Sequence, residues 1–198
     1  MKRLILGLAA AMMIAPTAQA SEMFGTRGVR TPVLTMKWDE KPQAASWTKA
    51  TMSALETHGA ILSETVPADI DTWCPGYKTQ GKKGRNAFWA GLLSTLSFYE
   101  STWRPAIVGG GGKWFGLVQI LPATARGYGC QAKSGADLKK GELNLSCAVR
   151  ILSVTVPRDN VVSEGMRGVA ADWGPFHSKR KRNGMREWIS DQNYCAAR

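Results

Sequence analysis

The stretch from Phe88 to Ser101 constrains the fold of this chain more than any other. Trp89, Leu92, Leu93, Leu96 and Tyr99 recur at helical spacing, and at 100° per residue Glu100 falls in line with Trp89, Leu93 and Leu96. A helix this apolar must be covered by other parts of the chain. Read from Gly84, it ends near Trp103, because Pro105 disfavours helical backbone at Arg104. Glu100 then sits in its last turn, facing the interior or a cleft wall, and it is the only acid between Asp71 and Asp137. Desolvation would hold its proton to higher pH, as a general acid requires, while Lys78, Lys82, Lys83, Arg85 and Arg104 would oppose this if they came close. The alternative is a helix-end glutamate that reaches sideways to an arginine, since structural ion pairs also perturb acids.

Residues 1–20 read as a secretory signal: Lys2 and Arg3, an apolar stretch from Leu4 to Ile14, and Ala18-Gln19-Ala20 as a small-residue cleavage site before Ser21. The apolar stretch is too short to span a membrane, and no later segment is long enough. The expected location is the periplasm, or secretion beyond it. All four cysteines, Cys74, Cys130, Cys147 and Cys195, lie after the signal, and an even number in an exported chain favours two disulfides. Three pairings are possible. We expect Cys130 with Cys147, closing a local loop, and Cys74 with Cys195, tying the C-terminus to the start of the core. A zinc site lacks Cys-x-x-Cys spacing and has only His58 and His177 to help. No metal or cofactor is expected. The formal charge of +11 drops to +9 without Lys2 and Arg3, which predicts attraction to anionic polymers such as cell-wall material.

Past the signal, residues 21–75 read as an irregular N-terminal extension and 76–198 as the main domain. Ser21 to Lys41 has no sustained periodicity, but Ala44 to His58 could form a helix with Trp47, Met52 and Leu55 inward, stopped at Gly59. Pro67 to Gly84 is loop-like. Beyond the central helix come the four glycines Gly109 to Gly112, a short extended stretch or turn from Trp114 to Ile120, and a helix from Pro122 to Gly127. Glu142 to Val156 is the next helix, ended by Pro157, and two more are expected over Ser163 to Trp173 and Arg182 to Gln192. The fold class is mostly α, a single domain of five or six helices with little strand.

Two blocks carry chemistry: Tyr99-Glu100-Ser101-Thr102-Trp103-Arg104-Pro105, and, after the glycine spacer, Gly116-Leu117-Val118-Gln119-Ile120-Leu121-Pro122-Ala123-Thr124-Ala125. Together they resemble the soluble lytic transglycosylase family of lysozyme-like enzymes, whose pattern is Glu-Ser followed by Gly-Leu-Met-Gln-Ile-x-Pro-x-Thr-Ala. The resemblance implies a lysozyme-like catalytic domain acting on peptidoglycan glycan strands; a monomer is expected. It implies cleavage of the β-1,4 bond between N-acetylmuramic acid and N-acetylglucosamine without water. Glu100 would be the acid and then the base, giving a 1,6-anhydro product. One carboxyl serving both steps differs from the two-carboxylate arrangement of ordinary glycosidases. By the same resemblance Ser101 supports the glutamate, Gln119 is the cleft glutamine that meets Glu100 or a sugar amide, and Gly116 lets backbone approach closely. Each has a plainer reading: a helix-terminal hydroxyl for Ser101, an ordinary turn for Gly116. Trp103 and Trp114 could stack on sugars or fill core.

The chain also departs from the pattern. Val118 replaces the family's methionine, and the loop Gly109 to Gly112 lacks the serine that many relatives carry. The family's later Ala-Tyr-Asn-x-Gly block has its nearest counterpart in Ala170-Ala171-Asp172-Trp173-Gly174-Pro175. Trp173 could replace the missing aromatic wall, and Asp172 could be a second acid. Two other readings stay open: a muramidase that hydrolyses the same bond, and a peptidoglycan-binding protein of weak activity. The run Lys179-Arg180-Lys181-Arg182 reads as a solvated face or as an electrostatic attachment to wall polymer; export and disulfides argue against nucleic acid as partner.

Overall fold

The computed structural model describes residues 34–197, so the expected signal over 1–20 and the arm up to residue 33 lie outside the described residues. At its centre is the helix that the apolar spacing predicts, running from Lys82 to Ser101 as the third of seven α-helices among the described residues (α3). From Asn86 to Ser97 every residue is buried, so α3 is covered all round rather than on one stripe. Its interior hydroxyls are satisfied within the helix: Ser94, Thr95 and Ser97 donate to the carbonyls of Gly91, Leu92 and Ser94 at 2.7, 2.8 and 3.0 Å. Thr102 then turns left-handed, with φ 52°, and its N–H returns to the Phe98 carbonyl. Pro105 lies just beyond, as the stop requires.

The other α-helices of the described residues are α1 (Ala44–Glu56), α2 (Ala60–Glu64), α4 (Pro122–Gly127), α5 (Gly135–Leu138), α6 (Gly141–Asp159) and α7 (Lys179–Ser190). Helix α1 packs along α6, and α1, α2 and α7 all touch α3. A two-stranded hairpin, β1 (Val108–Gly109) and β2 (Trp114–Phe115), is the only sheet among the described residues. Trp38, Trp47, Leu55, Leu62, Ile70 and Trp73 share one core with Phe88, Leu92, Leu152 and Phe176. The described residues accordingly form one compact unit, and the segment before residue 76, expected as extension, is packed into it from Leu34 onward. Among the described residues no helix is long and apolar enough to cross a membrane.

Both expected disulfides form, Cys74–Cys195 and Cys130–Cys147, which leaves no thiolate for a metal. Two helix expectations need correction. Pro157 does not end α6, which continues to Asp159 before Asn160 turns left-handed at φ 54°. In the last turn the missing N–H costs only one hydrogen bond. Ser163 to Trp173 is not an α-helix but short 3-10 turns, Glu164–Met166 and Gly168–Ala171. Gly165, Met166 and Gly168 all have positive φ, and a Cβ on Gly168 would lie 2.0 Å from the Val161 carbonyl oxygen. The carboxylate of Asp69 also claims this backbone, accepting from the N–H groups of Val162, Ser163 and Glu164 at 2.6, 2.8 and 3.0 Å.

Candidate active site

Glu100 leaves the last turn of α3 into a cleft of about 420 Å³. Burial pushes its carboxyl up to about 7, with the ammonium of Lys181 pulling the other way; no hydrogen bond from the described residues contributes. The lysines at and just before the start of α3, Lys78, Lys82 and Lys83, exert no such pull. Lys82 is a whole helix away, about 27 Å along the axis at 1.5 Å per residue. Nor does Glu100 join any ion pair among the described residues, so the sideways arginine contact is not made.

The hairpin and the turn after it bring Trp114 and Gln119 to the same cleft. Gly110, Gly111 and Gly112 form the hairpin tip with φ of 55, 64 and 95°, which side chains rarely allow. The ring of Trp114 lies directly on Gly110, where a Cβ would approach within 1.9 Å. Trp114 is 45% exposed and faces the cleft, so it has a free aromatic surface. Phe115 and Ile120 then pair through two 3.0 Å backbone hydrogen bonds that close the turn between them. Within it Gln119 has φ 50°, and its amide nitrogen donates to the carbonyls of Gly116 and Ile107 at 2.8 and 3.3 Å. Its place in the cleft is thereby fixed by backbone rather than by neighbouring side chains.

The turn is clamped from below by Asn144 of α6. This fully buried side chain donates to the carbonyls of Phe115 and Leu138 at 2.9 and 3.1 Å and accepts from the Val118 N–H at 2.9 Å. Gly116 makes room for it: a Cβ there would meet the Leu138 carbonyl at 2.0 Å and the Asn144 amide at 2.4 Å. Above the turn, the indole N–H of Trp173 donates to the Val118 carbonyl at 2.8 Å and its ring forms a cleft wall. Asp172, beside it, also lines the cleft, and burial raises its carboxyl while Arg158 opposes. A second cavity of about 110 Å³ shares Trp114, Gln119, Asp172 and Trp173 and continues toward Thr124 and Ile151.

Of the residues singled out in the sequence, Glu100, Gln119 and Trp173 come together in one cleft, joined by Trp114 and Asp172. Ser101 does not: its hydroxyl donates to the Ser97 carbonyl at 3.0 Å inside α3. Gly116 does not either, since its contacts are with α5, α6 and the structural amide of Asn144. Trp103 turns away as well, its indole N–H donating to the Ser94 carbonyl at 2.9 Å and its ring against Phe98. Sequence reasoning missed Tyr99 as cleft wall, Lys181 as cleft cation and Asn144 as clamp. Only Asn144 had a signal, an amide among the apolar positions of α6.

This architecture, a buried helix delivering one carboxyl to a groove walled by a glycine-rich hairpin, agrees with the family comparison. Residues 79–164 match the family model described as Transglycosylase SLT domain, which spans Glu100, the hairpin and the Gly116–Ala125 turn. The chain thus carries an SLT domain with the lysozyme-like fold, and the family acts on peptidoglycan. Among solved structures it is similar to Bd0314 DslA in wild-type form 2, with a TM-score of 0.74, 29% identity, and coverage of 82% of this chain and 98% of that one. Two glutamate-to-glutamine mutants of Bd0314 DslA match with TM-scores of 0.74 and 0.73 and identities of 28 and 29%. They cover 81 and 83% of this chain and 97% of each of theirs. No curated protein matches the chain.

Proposed function

We propose that the protein is a periplasmic lytic transglycosylase that cleaves the N-acetylmuramic acid β-1,4 N-acetylglucosamine bond of peptidoglycan and leaves a 1,6-anhydro-muramoyl end. The observation that carries this reading is Glu100: a carboxyl whose pKa burial raises to about 7, without a hydrogen bond from the described residues, at the wall of a groove with aromatic surfaces. Near pH 7 such a group is populated in both forms, which suits one residue that must give a proton and then recover one. Protonated Glu100 donates to the glycosidic oxygen as the C1–O bond breaks. The substrate's own acetamido oxygen supports the electron-poor C1. Glu100, now a carboxylate, takes the proton of the muramoyl C6 hydroxyl as O6 bonds to C1, and the acid is restored without water entering the product. Trp114 and Trp173 offer faces for sugar rings, and Gln119, its amide nitrogen already held by the Gly116 and Ile107 carbonyls, has its amide oxygen to accept from a sugar substituent.

A second reading rests on Asp172, which lines the same groove as Glu100. With Asp172 as partner to a water or as a nucleophile, the same bond would be hydrolysed. Mass spectrometry of muropeptides released from purified sacculi separates the two, because an anhydro end is one water lighter than a reducing end. The proposal requires anhydro ends from wild type and their loss with Glu100→Gln. Reducing ends abolished by Asp172→Asn would replace it with the muramidase.

A further inference from the structure

Building on that reading of the groove, we infer that Lys181 is a specificity residue that binds a carboxylate of the glycan strand beside the scissile bond. The basic run at the start of α7 looks uniform in sequence, but the fold gives its members different tasks. Ser178 caps the helix, its hydroxyl accepting the Lys181 N–H at 3.4 Å, and this fixes which way the first turn faces. Lys179 and Arg180 are exposed, and Arg182 donates to the Phe176 carbonyl. Of the four, only Lys181 lines the groove, on the same wall as Tyr99 and Glu100.

Lys181 takes part in none of the ion pairs among the described residues, and the groove's own acids, Glu100 and Asp172, do not pair with it. Its charge nevertheless reaches Glu100 strongly enough to oppose the effect of burial there. A partly buried ammonium without a protein counter-ion, next to the reacting carboxyl, is matched by an anionic group on the substrate. In peptidoglycan that group is a carboxylate attached to the muramoyl unit: one carried by the stem peptide or, in units without a peptide, the lactyl carboxyl, which is otherwise tied up as the amide that holds the stem. The overall positive charge would draw the protein to the wall without selecting a site; Lys181 would read one carboxylate at the point of cleavage.

The test compares wild type, Lys181→Gln, Lys181→Arg and Lys179→Gln on native sacculi, on sacculi whose carboxyls are converted to neutral amides, and on glycan strands stripped of peptide by an amidase. Lys179→Gln removes the same charge from a neighbouring exposed position. We expect Lys181→Gln to raise KM on native sacculi about ten-fold with little change in kcat, the effect of one charged hydrogen bond. Lys181→Arg should keep most of the wild-type KM, Lys179→Gln should match wild type, and the Lys181→Gln penalty should vanish on neutralised sacculi. Peptide-bearing units carry only stem-peptide carboxylates, so a penalty confined to native sacculi assigns the stem peptide, and one that also appears on stripped strands shows that the lactyl carboxyl freed by the amidase is read as well. An unchanged KM for Lys181→Gln, or equal losses on native and neutralised sacculi, overturns the inference. Failure of the enzyme reading looks different, because wild type would then release no muropeptides. Co-sedimentation of Glu100→Gln and Glu100→Gln/Lys181→Gln with native and neutralised sacculi would still decide the carboxylate preference.

Discussion

Asp69 and Glu100 are both carboxyl groups drawn away from water, and they are treated in opposite ways. Asp69 is 8% exposed and accepts three backbone N–H groups, from Val162, Ser163 and Glu164. Glu100 accepts none from the described residues, and burial alone governs its proton against the pull of Lys181. A carboxylate whose lone pairs are filled by the main chain is a fastener, here pinning the segment that leads to Asp172 and Trp173. One left unfilled beside a groove keeps its capacity for exchange. The same functional group is thus spent on architecture at one site and reserved for chemistry at the other.

Substitutions at both positions sharpen the contrast. The largest effect is expected for Glu100→Gln, which should lower muropeptide release by about 10²–10⁴-fold, the usual range for a positioned acid or base. Thermal unfolding of that variant should remain cooperative; full activity would end the contrast at once. Next comes Asp69→Ala, which strands three backbone donors, two of them buried, and should cost about 3 kcal/mol in urea unfolding. Its activity should recover when the temperature is lowered, because the groove is intact whenever the chain is folded. A stability equal to wild type would show that the fastener is dispensable.

A smaller effect is expected from the stability of Glu100→Gln itself. The folded carboxyl lies at about 7, above its ordinary 4.5, so the stability it contributes below pH 4.5 is lost as pH rises through 7. Glutamine carries no such penalty. At pH 8 the variant should be more stable than wild type by on the order of 1–3 kcal/mol, allowing for solvent contact, relative to their difference at pH 4. Smallest is the change in pH profile for Lys181→Gln. Tyr99, Asp172 and Lys181 are the titratable groups that share the groove with Glu100. Losing the ammonium should move the alkaline limb of kcat/KM to higher pH by a fraction of a unit, since the acid then holds its proton longer.

The sequence makes the fastener almost invisible and the reagent plain. Glu100 stands in a periodic apolar helix stopped by Pro105, and local spacing is enough to find it. Asp69 acts across more than ninety residues of chain, on backbone that three positive-φ residues have already turned away from helix. For the same reason the stretch from Ser163 reads as a helix by pattern and folds as 3-10 turns. The disulfides are legible because only one pairing joins a local loop and also anchors the C-terminus. Ser101 and Gly116 illustrate the reverse error: motif residues whose atoms are taken up by α3 and by Asn144. Lys181 sits in a run of four bases, and only the cap at Ser178 decides which of them turns inward.

The bridge between Cys74 and Cys195 closes a ring 121 residues apart along the chain. Glu100, Trp114, Gln119, Asp172, Trp173 and Lys181 all lie inside that ring. A single protease nick anywhere within it, including at the glycine tip of the hairpin, would leave both fragments covalently joined, and they would separate on a gel only after reduction.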